Sequence, residues 1–452
     1  LERAFAVGVG NTIKIYEVSL QGATDISTFD SLTTLSAAQL AAIAPAKKRL
    51  LLNFNDLNLP TDPDHLTGLD NVEGLTLGPK LADGRQSIVL VSDNNFGATQ
   101  YTQILTLGAD LVPTPIPVEA TLTKSADNDV FTLKGGSGKP KLQVSLTGRN
   151  SNLVNELGVF AVDDATGKID GIAPGATGYA EKALARGRVI LSAISNVPNG
   201  FNPNEIGRSL EFADGNNVRF YLVKDSTTDS VISGKTPSSN VIFSSPTTQK
   251  VTDLTNSNFT LAFEDGSGAA DFQDLVVKIE PSNQALPLGV GLQGKQEGEV
   301  LDLRGLSGNV KANFSVNREA AFNNLVGFYK VDDETGRIGN LKPSDAGYAQ
   351  QAMRQRIAEI DLRVDNQGTA VFDNKQLAGG SILAPFMIAN GATIDQVLNN
   401  QTNNVYFAYL GANSDKVDHI RLLGNNTFGF EDLASGGDFD YNDVIVRANL
   451  TV

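Results

Sequence analysis

Cysteine and tryptophan are absent from this 452-residue chain, and histidine and methionine occur twice each. Without cysteine there is no disulfide frame, thiolate zinc site, thiol nucleophile or iron–sulfur cluster, so stability rests on burial. His65 and His419 lie far apart in the chain, which argues against a serine-hydrolase triad and against multi-histidine metal sites. Any metal should be a hard cation held by oxygen. Positive charge is scarce as well: 36 Lys+Arg face 51 Asp+Glu, a formal net charge of −15. Such a surface repels phosphate backbones and anionic lipid and attracts cations, so neither nucleic acid nor a membrane surface is an expected partner. Long apolar runs are missing too. The strongest, such as Ile88 to Val91, are strand-sized and far short of the roughly 18 residues a membrane helix needs. The chain opens at Leu1 with no initiator Met, basic n-region or apolar h-region, and is expected to start at a processed or truncated end.

At roughly 100 to 200 residues per domain the length suggests about three domains. The Pro-rich run Val112 to Val118 (V-P-T-P-I-P-V) favours an extended strut and marks a boundary. Beyond it the chain repeats itself. V-D-D-x-T-G-[KR]-I blocks begin at Val162 and Val331, Phe263-Glu264-Asp265 answers Phe430-Glu431-Asp432, and Asn240 to Phe243 answers Asn404 to Phe407. A self-similarity of this length fits tandem globular modules. The expected division is residues 1–112, a linker at 113–117, a first module at 118–282 and a second at 283–452.

Within each module the pattern is mostly period-two, as in Val144 to Leu146, Val218 to Leu222, Phe259 to Phe263 and Val444 to Val446, between Gly, Asn and Asp clusters. This predicts β-sandwich-like modules. One helical insert is expected in each, over Ala176 to Arg186 and Asp345 to Arg356, with Ser344 as an N-cap. Residues 1–112 read as mostly antiparallel β, with strands over Thr12 to Val18, Arg49 to Asn53, Ser87 to Ser92 and Thr102 to Leu107. Ser36 to Gln39 has capping-box spacing for one Ala-rich helix that Pro45 ends.

The strongest chemical signal lies near the C-terminus. Glu431, Asp432, Asp438, Asp440 and Asp443 place five carboxylates within thirteen residues, with no Lys or Arg among them. Asp438, Asp440 and Asn442 stand at i, i+2 and i+4, so a loop can turn them onto one centre that demands six to eight oxygens, and Ca²⁺ is the simplest compensation for the crowded charge. The plainer alternative is a solvated acidic hairpin loop. Phe428, Phe430, Phe439 and Tyr441 argue against it, because they are expected to anchor both arms in a core. In the first copy the counterpart runs from Glu264 to Asp274 and is two residues shorter, so Glu264, Asp265, Asp271 and Asp274 should form a weaker or empty site. The V-D-D-x-T-G blocks (Asp163, Asp164; Asp332, Asp333) read as hairpin turns with Gly at a positive-φ position rather than as metal sites. In the N-terminal segment, Gly68 to Leu75 and Leu90 to Phe96 each place an acid and amides at a strand mouth, a pattern that serves cation ligands and ordinary turns equally.

Glu2-Arg3-Ala4-Phe5, Ile15 to Val18, Gly22 to Asp25, Leu69 to Gly74, Leu81 to Arg85 and Val91 to Phe96, in that order and spacing, resemble the closing portion of the bacterial phytase-like, esterase-like family. The resemblance covers about residues 1–108. It implies a partial β-propeller whose other blades lie upstream. It also implies phosphomonoester hydrolysis if those blades are present, with Glu73 and Asp93 holding metal, Asn94 assisting and Arg3 pairing with a phosphate oxygen. Residues 118–452 resemble two copies of the extracellular module known as domain of unknown function 4114, whose hallmark F-x-F-E-D-L … G-G-D-x-D-[FY]-N-D-V-[VI] stands here from Phe428 to Val446. Such modules, often cyanobacterial, accompany secreted or surface proteins. The whole is therefore expected to be a mainly β, calcium-binding protein of the extracellular space, cell surface or periplasm. The alternative is a non-enzymatic adhesion, matrix or filament subunit stabilised by calcium. Expected partners are an upstream fragment of the same protein or further copies joined through exposed strand edges.

Overall fold

The computed structural model describes every residue except 7–9, 21–22, 25, 28, 30, 37–39, 41–42, 58–70, 98–99, 111–118, 126–129, 137, 195 and 296. The Pro-rich run, most of the Ala-rich helix with its capping box, His65 and Asp70 thus lie outside the described residues. The chain divides into two compact units, Leu1–Pro117 and Val118–Val452.

In the first unit, β1 (Glu2–Ala6), β2 (Gly10–Ser19) and β3 (Lys47–Asn53) form one antiparallel sheet. The strands β4 (Val72–Lys80), β5 (Gln86–Ser92) and β6 (Ile104–Ala109) form another. Ile13 and Ile15 from the first sheet pack with Val72, Ile88 and Leu90 from the second and with Phe54, giving one small core. Leu77, Ile104 and Phe5 stay more than half exposed. Two three-stranded sheets are what this unit contains among the described residues, and no ring closes there.

In the first module, β7 (Thr121–Lys124), β8 (Phe131–Lys134), β10 (Asn155–Val162), β11 (Gly187–Ala193) and β13 (Asn217–Val223) lie in the order β11-β10-β13-β8-β7, with β14 (Val241–Phe243) also on β13. A second sheet has the order β12-β9-β17-β16-β15, formed by β9 (Lys141–Arg149), β12 (Gly207–Glu211), β15 (Gln249–Leu254), β16 (Asn258–Phe263) and β17 (Leu275–Ser282). The second module repeats this with β18 (Leu301–Asp302), β20 (Leu325–Val331), β22 (Ile382–Ile388) and β23 (Val405–Phe407) in one sheet. Its other sheet takes β19 (Asn309–Arg318), β21 (Thr369–Ala378), β24 (Ile420–Gly424), β25 (Thr427–Phe430) and β26 (Val444–Thr451) in the order β21-β19-β26-β25-β24, the counterpart of β12-β9-β17-β16-β15 strand for strand. The equivalent of β11 is reduced to single bridges at Arg356 and Leu362.

Alternation along the strands explains the layering. Leu157 and Val159 of β10 join residues of both sheets in one apolar core, while Phe160 and Val162 face the other way into a cluster with Tyr179, Ala183 and Leu184. On β22, Leu383 and Met387 point to the shared core, and Ile382, Ala384, Phe386 and Ile388 meet Tyr348 and Met353. A strand covered on both faces carries an almost continuous apolar run, as β22 does.

The covering layer departs from expectation in two ways. The expected helices are shorter, Tyr179–Ala185 and Tyr348–Arg354, and their N-caps are Gly178 and Gly347 at φ 84° and 86°, with no side-chain cap. Ser344 lies outside the second of these. Each module also has a second short helix, Thr228–Ile232 and Ile394–Leu398, capped by the Thr227 and Thr393 side chains, so there are two helical inserts per module instead of one. The V-D-D-x-T-G blocks are tight turns: Gly167 and Gly336 both take φ 77°. Their carboxylates are occupied locally, Asp164 by Thr166, Asp333 by Thr335 and Asp163 by Arg186. Each turn also anchors its helix, since the Tyr179 and Tyr348 hydroxyls donate to the Gly167 and Gly336 carbonyls at 2.7 and 2.6 Å.

The two modules share a seam. Val154 and Ile194 of the first pack with Leu423, Tyr441 and Ile445 of the second. Arg421 donates to the Val154 carbonyl at 3.1 Å, and Gln293 links buried Arg208 to Asn426. Arg447 pairs with Glu205 at its margin.

Candidate metal centre

The acidic loop of the second module leaves β25 at Phe430 and returns into β26 at Val444. Phe428, Phe430 and Tyr441 are buried and fix both arms, as the aromatic pattern predicts. Phe439 differs: it is 43% exposed, and its ring lies over Gly436. Between the arms Ser435, Phe439 and Tyr441 take φ 64°, 59° and 56°, left-handed values that are uncommon outside glycine. Gly437 takes φ 50°, and a Cβ there would overlap the Glu431 carboxylate. The loop therefore folds back on itself over Glu431.

The carboxylates converge in two sets. Glu431, Asp438 and Asp440 offer oxygens that all lie within 4.8 Å of one another, and so do Glu431, Asp432 and Asp443. Glu431 is fully buried; its Oε1 accepts the Leu433 amide at 3.2 Å, and its Oε2 has no partner. Asp432 accepts Asn324 Nδ2 at 2.7 Å, while its own amide donates to Asp443 Oδ2 at 2.7 Å. Asn442 donates its backbone N–H to Asp440 Oδ1 at 3.3 Å. Burial and the neighbouring Asp443, Asp438 and Asp440 charges push Glu431 up to about 9. Burial and Asp432 lift Asp443 to about 7, and burial with Asp438 lifts Asp440 to about 6. Asp432 is also raised by burial, against the pull of Asn324 and Arg318. Crowding that raises neighbouring acids in this way is relieved by a cation.

Three residues outside the motif hold the loop in place. His419, fully buried and stacked on Tyr406 with ring centroids 3.7 Å apart, has Nδ1 2.9 Å from the Glu431 carbonyl and Nε2 3.0 Å from Asp415 Oδ2. Asp415 Oδ2 also accepts the Ser435 amide at 2.8 Å, and Asn324 holds Asp432 as described. Sequence reasoning did not select these three. The i, i+4 spacing of Asp415 and His419 just ahead of the hairpin was the available signal for two of them.

The first module brings Glu264, Asp265 and Asp274 together in the same way and leaves Asp271 outside, where it accepts the Gln273 amide. Here the oxygens are taken up by protein donors. Ser151 and Asn155 both bond Asp265 Oδ2, at 2.5 and 2.7 Å, and the Phe272 amide donates to Glu264 Oε2 at 3.2 Å. Burial still raises Asp274 to about 7. In the N-terminal unit Arg3 bonds Asn71 and pairs with Glu73 at 3.7 Å, and Asn71 donates to Glu73 at 2.6 Å. Asn71, buried between them, joins this group although it was not among the expected site residues. Asp93 and Asn94 instead cap their own turn through the Asn95 and Phe96 amides, at 3.1 Å each.

Fold and loop together define a multidomain β-protein in which a repeated module carries an oxygen-only acidic site. No helix among the described residues is long and apolar enough to cross a membrane. Residues 1–96 match the family model described as phytase-like, esterase-like activity of phytase. Residues 212–282 and 377–451 each match the model described as domain of unknown function (DUF4114), and both matched segments contain an acidic loop. The chain thus has an N-terminal phytase-like domain followed by two DUF4114 repeats. Searches of curated proteins and of solved structures gave no match.

Proposed function

We propose that the second module is a calcium-binding β-sandwich, and that calcium stiffens a protein of the extracellular space or cell surface. The observation that carries this reading is Glu431 Oε2, a carboxylate oxygen without a partner in a fully buried residue. Its counterpart Glu264 likewise accepts one backbone N–H, but no buried, unpartnered oxygen of Glu264 occurs among the described residues, so the two loops differ at the second oxygen. An all-oxygen donor set suits Ca²⁺ over zinc or copper, and the net charge of −15 favours cation uptake. Ligation by Asp438, Asp440, Asp443, Glu431 and Asp432, completed by Asn442 and backbone carbonyls, would neutralise the crowded acids. Binding only to the folded state stabilises it by about 2.7 kcal/mol at a hundredfold excess over Kd. Thermal unfolding of the full chain in calcium and in EDTA tests the idea; coincident curves would sink it.

A second reading concerns the phytase-like domain. The Arg3, Asn71 and Glu73 group supports a role in a phosphate or cation site, with Asp93 and Asn94 on the neighbouring turn. A propeller site is assembled from loops of many blades, and two three-stranded sheets supply only part of one. Phosphomonoester hydrolysis is therefore assigned to a completed propeller. The 452-residue chain should turn over p-nitrophenyl phosphate no faster than buffer containing calcium.

A further inference from the structure

We propose that the acidic loop of the second module is a binuclear site, in which two hard divalent cations share the Glu431 carboxylate. This rests on the calcium reading above and goes beyond it in number and arrangement. Oxygens bound to one calcium ion sit about 2.3 to 2.6 Å from it and so cannot lie more than about 5 Å apart. Each of the two carboxylate sets satisfies that limit by itself, with its oxygens within 4.8 Å of one another. Within that distance they form two sets: Asp438 and Asp440 group with Glu431 in one, Asp432 and Asp443 in the other, and Glu431 belongs to both.

The shared vertex is also where the structure leaves a polar atom unsatisfied. Glu431 is fully buried, and its Oε2 has no partner. The remaining oxygens are distributed to match. Asp432 spends Oδ2 on Asn324, and Asp443 spends Oδ2 on the Asp432 amide, which leaves one oxygen of each for an ion on their side. Asp440 engages Oδ1 with the Asn442 amide and groups with Asp438. Paired metal ions typically stand about 3.5 to 4 Å apart, a separation one carboxylate spans.

Charge points the same way. Five carboxylates crowd the loop, no Lys or Arg lies between Glu431 and Asp443, and Arg318 is the cation that acts on Asp432. One divalent ion together with Arg318 leaves at least two of the five negative charges uncompensated, and a second ion offsets those two. The first module lacks the bridge, because one set of three carboxylates is formed there and Glu264 has no second set to share. It contributes the same background to every variant below.

Bound Ca²⁺ counted by native mass spectrometry and by equilibrium dialysis of the full chain tests the proposal. Glu431→Gln is isosteric and keeps an oxygen for the Leu433 amide. It should lose two ions relative to the unaltered chain, while Asp440→Asn should lose one. Loss of a single ion in Glu431→Gln overturns the binuclear site and leaves the calcium reading standing; loss of none overturns both. If circular dichroism shows Glu431→Gln unfolded, Asp440→Asn and Asp443→Asn replace it. Each alone should lose one ion and the double variant two, whereas a single shared site would lose the same one ion in all three.

Discussion

Gly437 shows how much of the loop depends on one position. Its φ of 50° lies in the left-handed region, and any Cβ would press on the Glu431 carboxylate. Left-handed backbone costs other residues roughly 1 to 2 kcal/mol. Gly437→Ala should therefore weaken calcium binding by about tenfold, equivalent to about 1.4 kcal/mol, as read by titration calorimetry. The acids themselves predict a pH dependence. In the ion-free protein Asp440, Asp443 and Glu431 sit at about 6, 7 and 9, all above the ordinary carboxylate value. The folded state then holds the extra protons, so the stability they give is complete below the unfolded carboxylate pKa of about 4 and is lost as pH rises through those three values. Melting temperature in EDTA should fall from about pH 5 to about pH 9. The increment from calcium should grow over the same range, and an increment as large at the acid end as at the alkaline end would contradict the assignment. At this scale the sequence was informative because the crowding is local: the carboxylates of Glu431, Asp432, Asp438, Asp440 and Asp443, which the fold gathers into two sets, could be read directly. The distinction between Glu431 and Glu264 could not, because it depends on how the fold buries and partners the second oxygen of each.

Among the elements, the helices show where local reading fails. Ser344 follows Pro343 and resembles an N-cap, yet the Tyr348–Arg354 helix starts after Gly347, whose left-handed φ of 86° no side-chain pattern signals. Ser344→Ala should accordingly shift unfolding free energy by no more than about 0.5 kcal/mol, and Gly347→Ala should lower it by about 1 to 2 kcal/mol, both measured by urea denaturation. Equal effects would restore Ser344 as the cap. The five-residue helix Ile394–Leu398 escaped notice because it is too short to show a period, although Thr393 and Gln396 form a capping box. Strands fared better. Alternation in Phe259 to Phe263 and the apolar run Val444 to Val446 identified β16 and β26, and the V-D-D-x-T-G turns followed from glycine's freedom at positive φ. What the strands of each sheet pair with, and in which order, is set by contacts far apart in sequence.

Across the whole molecule the seam joins what the repeat suggested were separable modules. Leu423 and Ile445 are almost fully buried against Val154 and Ile194, and Tyr441 belongs both to this cluster and to the acidic loop. Residues 118–452 should therefore unfold as one cooperative body. Leu423→Ala leaves a cavity worth about 2 to 5 kcal/mol, and it should lower a single shared calorimetric transition of both modules. A transition that splits, with the first module unaffected, would show that the seam transmits nothing. The sequence did not disclose this contact, since its residues are scattered over loops and strand faces of both copies and no local period marks them.

The seam also gives the tandem a direction. It is a head-to-tail contact between quasi-equivalent units, the kind that propagates without end when each unit presents both complementary faces. The face that receives the first module is built around Arg421, Leu423, Ile445 and Arg447. At the matching register positions the first module carries Lys250, Thr252, Val276 and Lys278, and none of these four is buried. The two arginines are matched by lysines, but Leu423 is matched by Thr252 and Ile445 by the smaller Val276, so a further module arriving there would find less apolar surface. The two modules are therefore not interchangeable at this seam: the second presents the receiving face and the first does not.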